Sequence, residues 1–337
     1  MKLSRLLTRR GAILSAAAIA ATPRLQAADN AKKAQIAITL DLEMSRHYPT
    51  REQMHWDFHK GDLNEPAKRY AVEAARRVKA AGGLIHFFLV GQVLEQENVD
   101  WITQLHTDGH PIGNHTYDHI NVLATKTADL QFRFQRAPWL LEGRTAAEAI
   151  AWNIDLCAKA MKQRLGFEPN GFRTPGGFQN GLHGRPDIQR ILLDQGYRWI
   201  SCLYPSHPTT EPGVAPDRAV FEGIVATHSK AQPHRYPTGL LEIPMNGISD
   251  VGAFRTARWK LEAFLEATRR SVAWAIESGR MFDFLAHPSC LGIEDPEFKT
   301  IDLICELVAK SNGKAEIVGL DIIADGPLGS IASLANE

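Results

Sequence analysis

The chain has 337 residues, 38 basic and 38 acidic, with 44% apolar side chains. This is the composition of an ordinary globular protein, long enough for one large α/β domain or two smaller ones. Beyond the N-terminus no apolar run is long enough for a stable membrane span, which excludes an integral membrane protein built of helices.

The first 27 residues, MKLSRLLTRRGAILSAAAIAATPRLQA, have a basic start, an apolar middle from Gly11 to Ala21 and a small-residue exit near Ala27. That is the anatomy of a secretory signal, and Arg9-Arg10 before GAIL has the twin-arginine pattern. The expectation is a cleaved signal over 1–27, export in the folded state to the periplasm or beyond, and a single domain over 28–337. Loss of Lys2, Arg5, Arg9, Arg10 and Arg24 leaves 33 basic against 38 acidic residues, a net charge of −5. Such a surface argues against nucleic acid as a partner. Cys157, Cys202, Cys290 and Cys305 form no CxxC pair, so neither a zinc ribbon nor a redox motif is indicated. Disulfides are open to an exported protein, but folding before export in a reducing compartment favours free buried thiols at least as well.

From Ala34 the pattern is strand, loop, helix, repeated. AQIAITLDLEM (34–44) reads as a buried strand, followed by a polar, aromatic-rich loop to residue 64. EPAKRYAVEAARRVKAAGG (65–83) is an amphipathic helix, LIHFFLVG (84–91) a strand, NVDWITQLHTDG (98–109) a short helix and HPIGNHT a third strand. TAAEAIAWNIDLCAKAMKQRLG (145–166) is a helix with a capping box at Thr145 and Glu148. NGFRTPGGF (170–178) is a strand end entering a turn, followed by a helix at 186–196 and a strand at 197–204. Residues 205–235, rich in Pro, Gly, Thr and His, read as a long loop. Then come a strand (239–247), a long helix (256–279), a strand (281–288), a helix (297–313) and a last strand (315–323). Repeated β-α units indicate parallel strands, either an open doubly wound sheet or a β/α barrel. No glycine-rich phosphate motif follows any strand, which weakens a nucleotide-binding reading.

Polar residues gather at the strands' C-terminal ends, where a barrel places its chemistry. Asp41 and Glu43 share one side of a strand at period two. His115 and His119 have ligand spacing and supply the nitrogen donors that zinc-like ions prefer. His55 and His59 have the same spacing but lie in the irregular loop. Arg173 precedes Thr174-Pro175-Gly176-Gly177, and His287 ends a strand stopped by Pro288. A metal-dependent hydrolase needs such a set: ligands for the ion, a base for water, a donor for the oxyanion and an acid for the leaving group.

GHPIGNHTYDH (109–119), preceded by IHFFLVG, resembles the second motif region of the polysaccharide deacetylases, carbohydrate esterase family four. The family's T-F-D-D is matched by Thr39-Leu40-Asp41-Leu42, its R-x-P-x-G by Arg173-Thr174-Pro175-Gly176-Gly177 and its late leucine–histidine motif by Leu285-Ala286-His287. The resemblance runs from about Ile36 to Ile323. It implies a single-domain distorted (β/α)7 barrel that hydrolyses N-acetyl or O-acetyl groups on a glycan with a divalent metal, zinc foremost, cobalt or nickel as alternatives. It implies His115 and His119 as metal ligands, Asp41 as general base, Arg173 as the residue orienting it, the Gly176 N–H as an oxyanion donor and His287 as general acid.

The chain departs from the pattern twice. Leu42 stands where the family has a metal-binding aspartate, so Glu43 is assigned to the ion. The family's fourth-motif acid, which tunes the histidine, has no counterpart around GYRWISCLYPS (196–206), so another loop must supply it or the histidine is tuned differently. These departures keep a non-catalytic carbohydrate-binding barrel open. The loop 45–64, with Tyr48, Trp56 and Phe58 beside His47, His55 and His59, suits either stacking on sugar faces or walling a pocket for a small cyclic amide or ureide. The partner is thus a glycan or a small amide, and the oligomeric state is not read from the sequence.

Overall fold

The computed structural model describes residues 33–45 and 60–326, all within one compact unit. Residues 1–32, which include the expected signal, residues 46–59, which include His55, His59 and the aromatic residues of the expected loop, and residues 327–337 lie outside the described residues. Strand β1 (Ala34–Leu42) is followed by α1 (Glu65–Ala80), β2 (Ile85–Leu89), α2 (Asp100–Thr107) and β3 (Ile112–Asn114). A five-residue helix α3 (Phe132–Arg136) precedes α4 (Ala146–Leu165), β4 (Phe172–Phe178), α5 (Pro186–Asp194) and β5 (Trp199–Leu203). Next come α6 (Arg218–Thr227), β6 (His234–Arg235), β7 (Leu241–Glu242), α7 (Leu261–Ser278) and β8 (Phe282–Ala286). Helices α8 (Pro288–Glu294) and α9 (Lys299–Ala309), strand β9 (Ala315–Ile317) and helix α10 (Leu320–Ala324) close the described chain.

The strands form one sheet in the order β6-β7-β5-β4-β3-β2-β1-β8, with β9 on β1. All pairs are parallel except β6 with β7. The sheet curls until residues after β7 meet β8 through a parallel bridge between Asn246 and Phe284. Asn246 N donates to Asp283 O at 3.2 Å, and Asp283 N to Asn246 Oδ1 at 3.1 Å. Closure through one bridge and a side chain, rather than a full ladder, is the distortion of this (β/α)7 barrel.

Side-chain alternation sorts the core. On β1, Ile36, Ile38, Leu40 and Leu42 pack outward with Ile85, Phe87 and Leu89 of β2 and Tyr70, Ala74 and Val78 of α1. Thr39 and Asp41 face inward. The lower interior is apolar, filled by Ala37, Phe88, Trp199, Ile243 and Met281 and plugged by Leu320 and Ile323 of α10.

The capping box forms as expected, with Thr145 and Glu148 bonding each other's backbone N–H. Three expectations need correction. The loop 205–235 contains α6: Asp217 caps it, accepting from Val220 N at 2.9 Å, and Phe221 and Ile224 bury one face. Flanking Pro, Gly and Thr masked this helical stripe. The last strand ends at Ile317, and residues 320–324 are helical because Leu320, Ile323 and Ala324, at helical spacing, fill the barrel floor. The strand at 239–247 is laddered only at Leu241–Glu242, and the rest runs extended to the Asn246 bridge.

Candidate active site

The bend after β1 bonds Glu43 N to Asp41 O at 3.0 Å, and both carboxylates stay on the interior side. Leu42 is fully buried in the outward core, so the residue after Asp41 packs against helices and cannot reach the cavity.

His115 leaves the end of β3 with its N–H on Leu89 O at 3.0 Å. The segment to His119 is a tight turn, with φ of 59° at Thr116 and 57° at His119. Left-handed backbone is uncommon for non-glycine residues, and for β-branched Thr it is strained, so the surroundings must impose it. Asn114 Oδ1 accepts from Thr116 N at 2.8 Å, and Asn153 Oδ1 accepts from Tyr117 N and Asp118 N at 2.9 and 3.0 Å. Buried Asp118 is held by Asn153 at 2.6 Å, by Gln92 at 2.9 Å and by Arg133 of α3. The turn brings the two imidazole rings to 5.2 Å between centroids.

Glu43 sits between them. Its Oε2 lies 2.6 Å from His119 Nε2 and 3.5 Å from His115 Nε2, with no hydrogen bond of good geometry, while Oε1 takes the Lys60 ammonium. His115 Nδ1 lies 3.0 Å from Arg173 O, so the proton belongs on Nδ1 and the Nε2 lone pair faces the cavity. Burial pushes His119 down to about 4, which keeps it neutral at physiological pH. Burial raises the Glu43 pKa, but His119, Lys60 and His115 outweigh it and hold the carboxyl well below the usual range. One buried carboxylate oxygen lacking a well-formed bond and two imidazoles, with donor atoms all within 4.8 Å of one another, fit a zinc-like divalent ion. Among the described residues no other such group of three is present.

Arg173 is fully buried inside the barrel. Its Nη1 donates to Asp41 Oδ1 at 3.1 Å and to Thr39 Oγ1 at 2.7 Å, and its Nη2 to Asp283 Oδ2 at 2.6 Å. Ser201 accepts from Nε and Nη2, and the guanidinium lies 4.3 Å from the Phe88 ring centroid. Asp41 is thereby held by Oδ1, leaving Oδ2 to face the cavity, 3.7 Å from His115 Nε2. Burial pushes the Asp283 pKa up to about 6 against the opposing pull of Arg173 and Thr39. The β4–β5 ladder jumps from Arg173↔Ser201 to Phe178↔Leu203, so residues 174–177 bulge from the sheet. The bulge turns Gly176 and Gly177 into the cavity wall, and Thr174 Oγ1 donates to Gly176 O at 2.7 Å.

His287 follows β8, where Pro288 ends the strand and opens α8. Its Nδ1 bonds Asp250 Oδ1 at 2.8 Å and its backbone N–H donates to Asp250 Oδ2 at 2.7 Å. Nε2 points to the acids, 3.9 Å from Asp41 Oδ2 and 3.6 Å from Glu43 Oε1. Burial lowers the His287 pKa, but Asp250, Glu43 and Asp41 together carry it above the ordinary histidine range. The acid missing after β5 is therefore supplied from beyond its sheet neighbour β7, by fully buried Asp250. Its signal was an acid at a strand's C-terminal end, ISDVG after the segment 239–247. Asp283 and Lys60 are further site residues that sequence reasoning missed.

Asp41, Glu43, His115, His119, Gly176 and His287 line one cavity of about 300 Å³, and Arg173 braces it from below. The fold and the motif order together define a deacetylase-type (β/α)7 barrel. Residues 64–185 match the sequence profile of the polysaccharide deacetylase family, a family of hydrolases that act on carbon–nitrogen bonds other than peptide bonds. A Mycobacterium smegmatis structure assigned as a polysaccharide deacetylase is similar over 87% of this chain and 90% of its own, with a TM-score of 0.59 at 15% identity. One from Pseudomonas aeruginosa PAO1 with the same assignment covers 86% and 89%, with a TM-score of 0.56 at 12% identity. PuuE allantoinase covers 89% and 93%, with a TM-score of 0.53 at 13% identity. No curated protein matches the sequence. Among the described residues no helix is long and apolar enough to cross a membrane.

Proposed function

We propose that the protein is an exported, metal-dependent hydrolase that removes N-acetyl or O-acetyl groups from a glycan. The observation that carries this reading is the pairing of a braced base with a braced acid. Asp41 Oδ2 and His287 Nε2 lie 3.9 Å apart beside the Glu43–His115–His119 group, each backed by its own buried counter-charge, Arg173 and Asp250. Glu43, His115 and His119 would hold the ion. A bound divalent ion supplies Lewis acidity to the scissile carbonyl and acidifies water toward a pKa of about 7. Asp41 takes the proton from the attacking water, and the Gly176 N–H helps hold the negative charge on the carbonyl oxygen. His287 gives its Nε2 proton to the departing amine as the carbon–nitrogen bond breaks. Acetate and a free amine result from one amide and one water. The Arg9-Arg10 pattern supports export of the folded chain after its ion is in place.

The test is an acetate-release screen over chitin oligomers, peptidoglycan and acetylated xylan, with and without zinc, cobalt or nickel. Ion-dependent acetate release is expected, lost in His287→Ala while metal content is retained. The modest cavity and the likeness to an allantoinase support a second reading, opening of a small cyclic amide or ureide by the same residues. Consumption of such a ring without acetate release from any glycan selects it. Asp250 removes one of the two features that favoured a non-catalytic barrel.

A further inference from the structure

Lys60 is 4% exposed and its ammonium rests on Glu43, itself 2% exposed. Most lysines keep the ammonium in water, and burial of a charge is costly without a partner. The backbone around Lys60 is pinned to deliver it. Lys60 O accepts from Met44 N at 3.0 Å, and Gln96 Nε2 donates to Gly61 O and Leu63 O at 3.2 and 3.0 Å. A Cβ on Gly61 would stand 2.2 Å from Gln92 Cβ and 2.7 Å from its carbonyl carbon, so glycine alone permits so close an approach. The division of Glu43 is the consequence: Oε1 faces the ammonium, and Oε2 faces the two imidazoles.

We propose that Lys60 is a resident cation of the metal centre, which restricts Glu43 to ligation through Oε2 and holds down the affinity of the site for its ion. This inference rests on the metal reading of the site. An ammonium and a divalent ion that share one carboxylate repel each other, and the low-dielectric interior screens that repulsion poorly. With Oε1 occupied, Glu43 cannot chelate through both oxygens, so more of the ion's positions stay open to water and substrate. Lys60 is thus a positioning residue, acting on the ion through Glu43.

The experiment compares the mature protein with Lys60→Met, Lys60→Gln and Lys60→Arg. Zinc affinity is read by competition with a chromophoric chelator, and coordination by the visible spectrum of the cobalt-substituted proteins. Removal of the charge in Lys60→Met should tighten zinc binding by about tenfold or more, with the cobalt bands weakening as Oε1 joins the ion. Lys60→Gln still donates a hydrogen bond to Oε1, so it should tighten binding with little spectral change. If the apolar Met variant fails to fold, the Gln variant carries the affinity comparison alone. Lys60→Arg keeps the charge and should bind like the native protein. Unchanged or weaker zinc binding in both neutral variants would overturn the inference. If the native protein takes up no ion while Lys60→Gln does, the resident cation stands and the metal reading of the native site falls. If none of the variants binds, both fall.

Discussion

Asp250→Asn isolates the charge behind the proposed general acid. The carboxylate accepts from His287 Nδ1 at 2.8 Å and from His287 N at 2.7 Å, and also from Val251 N at 2.7 Å. The pair is buried, with Asp250 fully so and His287 8% exposed. Asparagine keeps the shape and one acceptor oxygen but removes the charge. A hydrogen bond to a charged group contributes ~1.5–3 kcal/mol, and its loss falls on the imidazolium form of His287. At 1.36 kcal/mol per factor of ten, kcat/KM above neutral pH should fall by about tenfold to a hundredfold. Asp250 holds His287 above the ordinary histidine range, so the alkaline limb of the pH–rate profile should move to lower pH. The same pairing stabilises the fold below that range and is lost as pH rises through the His287 pKa, so the variant's stability deficit should shrink at alkaline pH. The assay is a pH series of initial rates with metal content measured alongside. An unmoved alkaline limb with an unchanged rate would refute the assignment of Asp250 as the charge behind His287.

Asp41→Asn should retain metal while losing on the order of 10² to 10⁴ in rate, whereas Glu43→Gln should lose metal itself, and the reverse outcome would exchange their roles. His115→Ala should empty the site and His55→Ala should leave it occupied, as read by metal analysis of the purified proteins. Arg173→Met strands two buried carboxylates and should destabilise the fold by about 3–5 kcal/mol in denaturant titrations, with part recovered in combination with Asp283→Asn. Replacement of Arg9 and Arg10 by lysine should leave the precursor in the cytoplasm, and unchanged export would point to the general secretory route.

What the sequence determined by itself is what local periodicity carries. Alternation along β1 placed Asp41 and Glu43 on one side and Leu42 on the other, and the barrel interior receives the two acids while the helices receive the leucine. The Thr145 capping box, the end of β8 at Pro288 and the departure of His115 from β3 were likewise legible, since each depends on residues a few positions apart. Tertiary structure decided the rest, because the deciding contacts span long sequence separations. Asp250 reaches His287 across 37 residues, Asp283 reaches Thr39 across 244, and Lys60 reaches Glu43 across 17. Helix α10 shows the same rule in reverse. Its β-branched residues favour a strand locally, but the floor of the barrel offers an apolar hole that Leu320, Ile323 and Ala324 fill only at helical spacing.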